Sequence, residues 1–529
     1  MLLHPTRSRP ALFLLMTCLL LAAGLFFPTA YLLVRASEVE AGRALDYLTR
    51  AATLRIMGRS LLLVVTVVLA SGAVAIPAAW LTARTDLRGR RAWTVILTVP
   101  LVIPSYIGAF ALIGAIGPRG MLQQALEPLG VERLPSVYGF WGAWLSITLF
   151  TYPYLFLSVR AGLRGLDPAL EEASYLLGRS AWTTFRRVTL PMLAPSISAG
   201  ALLVALYTLS DFGAVATMQY NVFTRVIYLH LGIDLDLAAL LSTVLVGFTL
   251  LILVLSTLAE RRGAYYTRRA PRVPRRIRLG RWQGPALLFC ALITLLALVA
   301  PLAVMAYWLV NGLQHDEPIR DVLAPLQRSL RAAALGAAAS GAIALPFALL
   351  QVRHPGRIGR LLAQVPYIGY ALPGIVIGLA FVFVGANYLH DLNRLIGIDS
   401  YRTLPLLIAA YAVRFVPQAV GPARAALMQI NPALEESALT LGRGPLRVFG
   451  TITLPLMRSG LVAGAALVFL TVMKELPVTL LLAPTGYDTL ATRIWSASSE
   501  SFYARAAAPA LVLVMISALS LVYILDPDD

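Results

Sequence analysis

The sequence predicts an all-α polytopic membrane protein, with twelve transmembrane helices arranged as two parallel six-helix repeats. Three observations predict it. Hydrophobic residues make up 58% of the 529 positions and Asp, Glu, Lys and Arg only 13%, about half the charged share (~25%) of an ordinary soluble domain. Twelve apolar runs are each long enough to cross a hydrocarbon core as a helix, which takes about 20 residues. A 34-residue block occurs twice in the chain.

The runs lie at 11–34, 60–82, 92–117, 138–161, 193–217, 237–259, 285–310, 329–350, 361–386, 403–427, 459–483 and 506–525. Several contain proline, as at Pro77, Pro104 and Pro373, which neighbouring helices tolerate inside a bundle. The first follows Arg7 and Arg9 and is longer than the 7–15 apolar residues of a signal peptide. It reads as an uncleaved span with its N-terminus in the cytoplasm, despite the passable cleavage site Val34-Arg35-Ala36.

Alternation then assigns every loop a side, and the arginines test the assignment. Arg84, Arg88, Arg90 and Arg91 fall in loop 83–91, Arg353, Arg357 and Arg360 in loop 351–360, and nine arginines in stretch 260–284. All three segments land on the cytoplasmic side, as the positive-inside rule requires. The net charge of +18 is therefore read as basic loops at the inner face, not as a nucleic-acid footprint. By even count the acidic C-terminus is cytoplasmic too.

The basic stretch divides the chain into a first half (1–260), a linker (261–284) and a second half (285–529). Six spans per half is even, so the halves insert in the same direction as a parallel repeat. Residues 167–200 and 431–464 align without a gap at an offset of 264, with 14 of 34 positions identical; about 3 are expected by chance at this composition. In each copy an Asx-Pro pair, Asp167-Pro168 or Asn431-Pro432, reads as an N-cap followed by proline at the first helical position. Leu170, Ser174 and Leu177 share one face of the short helix, matched by Leu434, Ala438 and Leu441. Glu171, Glu172, Glu435 and Glu436 sit near the helix N-termini, where the dipole favours acids. Gly178 and Gly442 are placed for left-handed caps. Ser180, and Gly444 before Pro445, start a second helix, and Pro191 and Pro455 close the loop before the next span. Each half thus offers the cytoplasm a helix–Gly–helix elbow. A pair that merely rests on lipid headgroups is one reading; two levers for two copies of a partner is the other, and keeping the elbow twice favours it.

The chain lacks the parts of an engine. Its one lysine, Lys474, precedes Glu475, so a Walker A loop is excluded. No serine-nucleophile elbow or zinc helix occurs. The histidines (4, 230, 315, 354 and 390) are scattered, and Cys18 and Cys290 sit in apolar runs. Any ATP and magnesium belong to another chain, and no cofactor or metal site is assigned here.

The block EEASYLLGR…LP, with its second copy EESALTLGR…LP, resembles the EAA loop of type I ABC importer permeases. The resemblance covers about residues 55 to 523 and implies that fold. It makes the elbow a coupling helix that enters a cleft on the nucleotide-binding subunit. Glu171, Gly178 and Arg179 would carry that contact in the first half, and Glu435, Gly442 and Arg443 in the second, with Glu172 and Glu436 alongside. Ala173 fits the motif; Ser437 departs slightly. It further implies two ATPase copies, one substrate-binding protein and one permease chain per complex, in the bacterial inner membrane. Segments Ser210–Val215, Phe223–Tyr228 and Lys474–Pro477 resemble the fused permeases of ferric-iron importers; thiamine, phosphonate or polyamine permeases are the close alternatives.

Asp211 and Glu475 also share the 264 offset, roughly 22–27 Å into their spans at 1.5 Å per residue. Two readings stand. The acids, with Lys474, line an outer pathway and attract a cation. Alternatively, Glu475 pairs with a cation such as Lys474, and Asp211 bonds backbone at its helix end. Arg414, in the tenth span, reads as the partner of an acid or a carbonyl. The outer loops match as well: Tyr220…Thr224-Arg225-Val226 recurs as Tyr487…Thr492-Arg493-Ile494 with one inserted residue, forming an outer gate, a seat for the binding protein, or a repeated packing turn. A secondary transporter of the 6+6 type remains as a rival through Asp86–Arg91, a partial match to the major-facilitator loop; a membrane enzyme lacks any acid/base constellation.

Overall fold

The computed structural model describes residues 12–118, 120–166, 168–261, 276–315, 322–354, 356–362, 364–389, 402–500 and 502–524. Most of the linker, His390 and the Asp167 cap lie outside them. The described residues are helical almost throughout.

In the first half the principal helices are α1 (Leu12–Ser37), α2 (Ala51–Arg84), α3 (Arg90–Thr98), α4 (Ser105–Ile116), α5 (Phe140–Gly165), the elbow helix α6 (Pro168–Leu176), α7 (Trp182–Ser210), α8 (Gly213–Thr217), α9 (Phe223–His230) and α10 (Leu235–Arg261). The second half repeats them as α11 (Gly280–Gln314), α12 (Leu323–Arg353), α13 (Val365–Ala371), α14 (Gly374–Val384), α15 (Leu404–Gln429), the elbow helix α16 (Pro432–Thr440), α17 (Arg458–Met473), α18 (Pro477–Leu482), α19 (Leu490–Ser499) and α20 (Tyr503–Ile524). Each expected apolar run is occupied by helix. Among the described residues eight helices are long and apolar enough to cross a membrane unaided, and the remaining runs are broken or short.

The breaks correct the expectation of unbroken spans. The third run stops at Val102 and restarts at Ser105, with Ile103 (ψ 118°) and Pro104 (ψ 142°) extended between. The ninth does the same with Leu372 (ψ 131°) and Pro373 (ψ 143°). Proline disfavours helix in the residue before it, and the freed backbone is buried within the bundle and not exposed to lipid. The fifth and eleventh runs end at Asp211 and Lys474, short of 217 and 483, and restart as α8 and α18. Pro191 and Pro455 do not close loops. They lie within helix, each just after a π-helical turn, Phe185–Thr189 and Phe449–Thr453. A proline cannot donate to the ladder, and a widened turn absorbs the lost bond. The second-half helix bends by 69° at Met457.

The halves exchange their first spans. α1 packs on α12, α13 and α14 of the second half, while α11 packs on α2, α3 and α4 of the first. One large core cluster accordingly runs through both halves, joining Cys18 and Leu25 to Phe347 and Ile375.

Candidate functional site

Both elbows form as the sequence dictates, and both owe their turn to glycine. Gly178 (φ +73°) and Gly442 (φ +79°) adopt the left-handed region, which side chains other than glycine rarely tolerate. Arg179 N–H donates to Ser174 O and Arg443 N–H to Ala438 O, both at 3.2 Å, closing the carbonyl ends of the helices. Asn431 caps α16 by accepting from Ala433 N–H at 3.1 Å, and Ser180 Oγ accepts from Thr183 N–H at 3.3 Å.

The apolar face divides differently from expectation. Ser174 and Ala438 are buried, while Leu177 (78% exposed) and Leu441 (82%) face outward with Leu176. Ser174 and Ala438 point at the second elbow helix. Ser174 Oγ meets Thr184 Oγ1 at 2.8 Å; the equivalent second-elbow residues, Ala438 and Val448, are both buried and apolar. The Leu170 side chain lies outside the described residues.

The four glutamates separate into two kinds. Glu172 and Glu436 are exposed together with Arg179 and Arg443. Glu171 and Glu435 turn inward. Thr189 Oγ1 donates to Glu171 Oε1 at 2.8 Å, and Arg84 Nη2 stands 3.6 Å from the same oxygen. In the second half Thr453 Oγ1 donates to Glu435 Oε1 at 2.6 Å and Arg353 Nε pairs with Glu435 Oε2 at 2.9 Å. Arg84, at the end of α2, is only 3% exposed. The first glutamate of each motif therefore clamps the elbow to the end of the half's second span. Sequence reasoning missed Arg84, Thr189, Arg353 and Thr453 as site residues. Thr189 and Thr453 were in the matched block, and Arg84 and Arg353 share an offset of 269. Burial and the Glu171 charge raise the Tyr175 phenol beside this clamp.

At the far end of α7 and α17, a cavity of about 410 Å³ is lined by both halves. Ser105, Tyr207 and Asp211 line it from the first half, and Arg414, Lys474 and Glu475 from the second. Asp211 accepts from the Ser105 hydroxyl and from Ala214 N–H (2.9 Å) and Val215 N–H (3.4 Å). Glu475 accepts from Arg414 Nη1 (2.8 Å) and Val478 N–H (3.2 Å). Both acids thus cap the short helix that follows them, which is why the spans stop there. Glu475 pairs with Arg414 and not with Lys474, whose Nζ donates to Leu101 O across the halves at 3.1 Å.

The turns leading into α9 and α19 are repeated with one change of register. Phe223 N–H donates to Ser60 Oγ (3.2 Å) and Leu490 N–H to Ser329 Oγ (2.8 Å). Equivalence of α9 and α19 starts makes Tyr220 and Tyr487 counterparts. Tyr220 packs under Arg59, and Tyr487 Oη donates to Arg328 O at 2.9 Å. Arg225 and Arg493, however, are one residue out of step, about 100° around a helix. Each has its own local partner, Asn221 and Asp488.

Two helical halves that exchange spans, line a common cavity bearing a few charged groups and present two elbows at the opposite end define a duplicated membrane permease, a transport component. The chain belongs to the family of binding-protein-dependent transport system inner membrane components, which it matches twice, at residues 75–270 and 340–528. It is similar to the Fe(3+)-transport system permease protein FbpB 2 of Haemophilus influenzae, 31% identical over 521 residues, covering 97% of both chains. It is 26% identical over 468 residues to the probable ABC transporter permease protein y4fN of Sinorhizobium fredii (83% of this chain, 80% of the relative). The molybdenum transport system permease protein ModB of Haemophilus influenzae is 34% identical over 151 residues, 28% of this chain and 64% of that one.

Proposed function

We propose that this chain is the permease of an ATP-driven importer that carries ferric iron across a bacterial inner membrane, with both termini in the cytoplasm. A binding protein outside hands over the iron, and two ATPase copies, holding ATP and magnesium, dock on the elbows of one permease chain. The chain binds no cofactor of its own. The observation that carries the substrate is the full-length likeness to the Fe(3+)-transport permease, which spans both halves and the cavity between them. The exposed Leu176, Leu177 and Leu441 beside Glu172 and Glu436 support docking: an apolar knob rimmed by charge suits a protein cleft better than water.

The test is reconstitution in liposomes with the ATPase and binding protein, following ⁵⁵Fe. ATP-dependent accumulation is expected, and Gly178→Pro with Gly442→Pro should abolish substrate-stimulated hydrolysis while the chain still inserts. Iron accumulation on a proton gradient without ATPase would refute the reading in favour of a secondary transporter.

A further inference from the structure

The central cavity has the wrong chemistry for a bare ferric ion. Such an ion is hard and takes several oxygen ligands, carboxylates above all. No cluster of three or more His, Cys, Asp or Glu suited to a metal occurs among the described residues. The cavity's two acids are already engaged: Asp211 with a hydroxyl and two backbone N–H groups, Glu475 with Arg414 and a third. Releasing either from its donors would leave a helix start uncapped or Arg414 without its counter-charge.

The groups with bonding capacity to spare are donors. An ammonium has three N–H bonds, and Lys474 spends one on Leu101 O. Gln418 lines the cavity with its oxygen 2.9 Å from Thr471 Oγ1, whose single proton also reaches Leu467 O at 2.8 Å, and its amide N–H₂ adds two further donors. The cavity, at about 410 Å³, has room for a small complex many times larger than an ion.

Resting on the ferric reading above, we infer that iron crosses as a complex with a small oxyanion, a carboxylate or phosphate, and that Lys474 meets the oxyanion. Among the described residues Lys474 makes no ion pair, Glu475 beside it being held by Arg414; an intramembrane cation without an acid in contact is costly, and an anionic oxygen arriving with the substrate supplies that contact during transit. The complex carries fewer positive charges than the three of bare Fe(III).

The test measures charge per iron. Proteoliposomes holding the full complex receive binding protein loaded with ⁵⁵Fe(III) in phosphate or in citrate, and the ATP-driven current is divided by the iron taken up. One charge or fewer per iron is expected, with the matching ³²P or ¹⁴C label entering alongside. Lys474→Met should slow iron uptake about ten-fold or more, a rise of about 1.4 kcal/mol in the barrier, and Lys474→Arg should retain most of the uptake. Three charges per iron, or a Lys474→Met complex that moves iron at the unaltered rate, overturns the inference and leaves the ferric reading standing. No iron uptake at all, with ATP hydrolysis intact, overturns both.

Discussion

Arg414 Nη1 lies 2.8 Å from Glu475 Oε1, in the space a side chain at residue 374 would occupy: a Cβ built on Gly374 falls 1.3 Å from that nitrogen. The first half answers the same packing problem differently. At the position of Gly374 stands Ser105, whose hydroxyl donates to Asp211. At the position of Arg414 stands Phe150, and the gap it fills is left by Gly108, where a Cβ would fall 1.7 Å from the ring. Each half thus sets one bulky residue of its fourth span into a glycine gap of its third. Only the second half uses the gap for an ion pair.

Gly374→Ala should therefore displace the guanidinium and leave Glu475, 6% exposed, without its counter-charge. Removing one partner of a buried pair costs about 3–5 kcal/mol, which is the ceiling for a guanidinium that is pushed aside and not removed. A lowered thermal midpoint of the purified complex is expected. Adding Arg414→Leu and Glu475→Gln, which removes both the clash and the charge, should recover part of it. A Gly374→Ala midpoint equal to the parent's would show that the gap is not filled as described.

The clamp between Arg353 and Glu435 has a different consequence, because it lies where the elbow joins the bundle. α12 packs along α15, which carries Arg414, and along α17, which ends just before Lys474. In the proposed function, a push on the elbow is expected to reach the cavity through this ion pair and the second span. Arg353→Met should leave the elbow exposed for docking but weaken its grip on the bundle. ATP hydrolysis in the complex should persist while iron transported per ATP falls by at least several-fold. The Arg84→Met complex should behave alike, through Glu171. Loss of ATPase binding in either variant, read by co-purification, would mean that these glutamates serve docking instead.

Much of this was legible from residues alone. Gly178 and Gly442, Asn431 and Ser180 do what local backbone chemistry demands of them, because capping is decided within a few residues. Asp211 and Glu475 stood out because an acid inside a span is costly. The breaks at Pro104 and Pro373 were not foreseen, since a proline in an apolar run is compatible with either a kinked helix or a broken one, and only packing decides. The clamp was hidden for another reason. Glu171 meets Arg84 from a distant stretch of chain, and Arg84 already had a sufficient explanation as a positive-inside arginine. Comparing the two halves beyond the matched block, at the offset of 269 shared by Arg84 and Arg353 and by Ser60 and Ser329, was the signal available.

The buried locks of the two elbows differ in kind, and the difference is testable by exchange. Ser174 and Thr184 share a hydrogen bond of 2.8 Å, 5% and 1% exposed, where the second elbow has the buried apolar residues Ala438 and Val448. Removing one hydroxyl strands the other: Thr184→Val alone leaves Ser174 buried without that partner, at a cost of about 1–3 kcal/mol, whereas replacing both partners by apolar groups of similar shape is nearly neutral. The single variant should lower the thermal midpoint of the complex and its coupled transport. The double variant Ser174→Ala, Thr184→Val, which gives the first elbow the lock of the second, should restore both toward the parent. If the double variant is as impaired as the sum of the singles, the two hydroxyls are not each other's partners, and the first elbow holds its shape by other contacts.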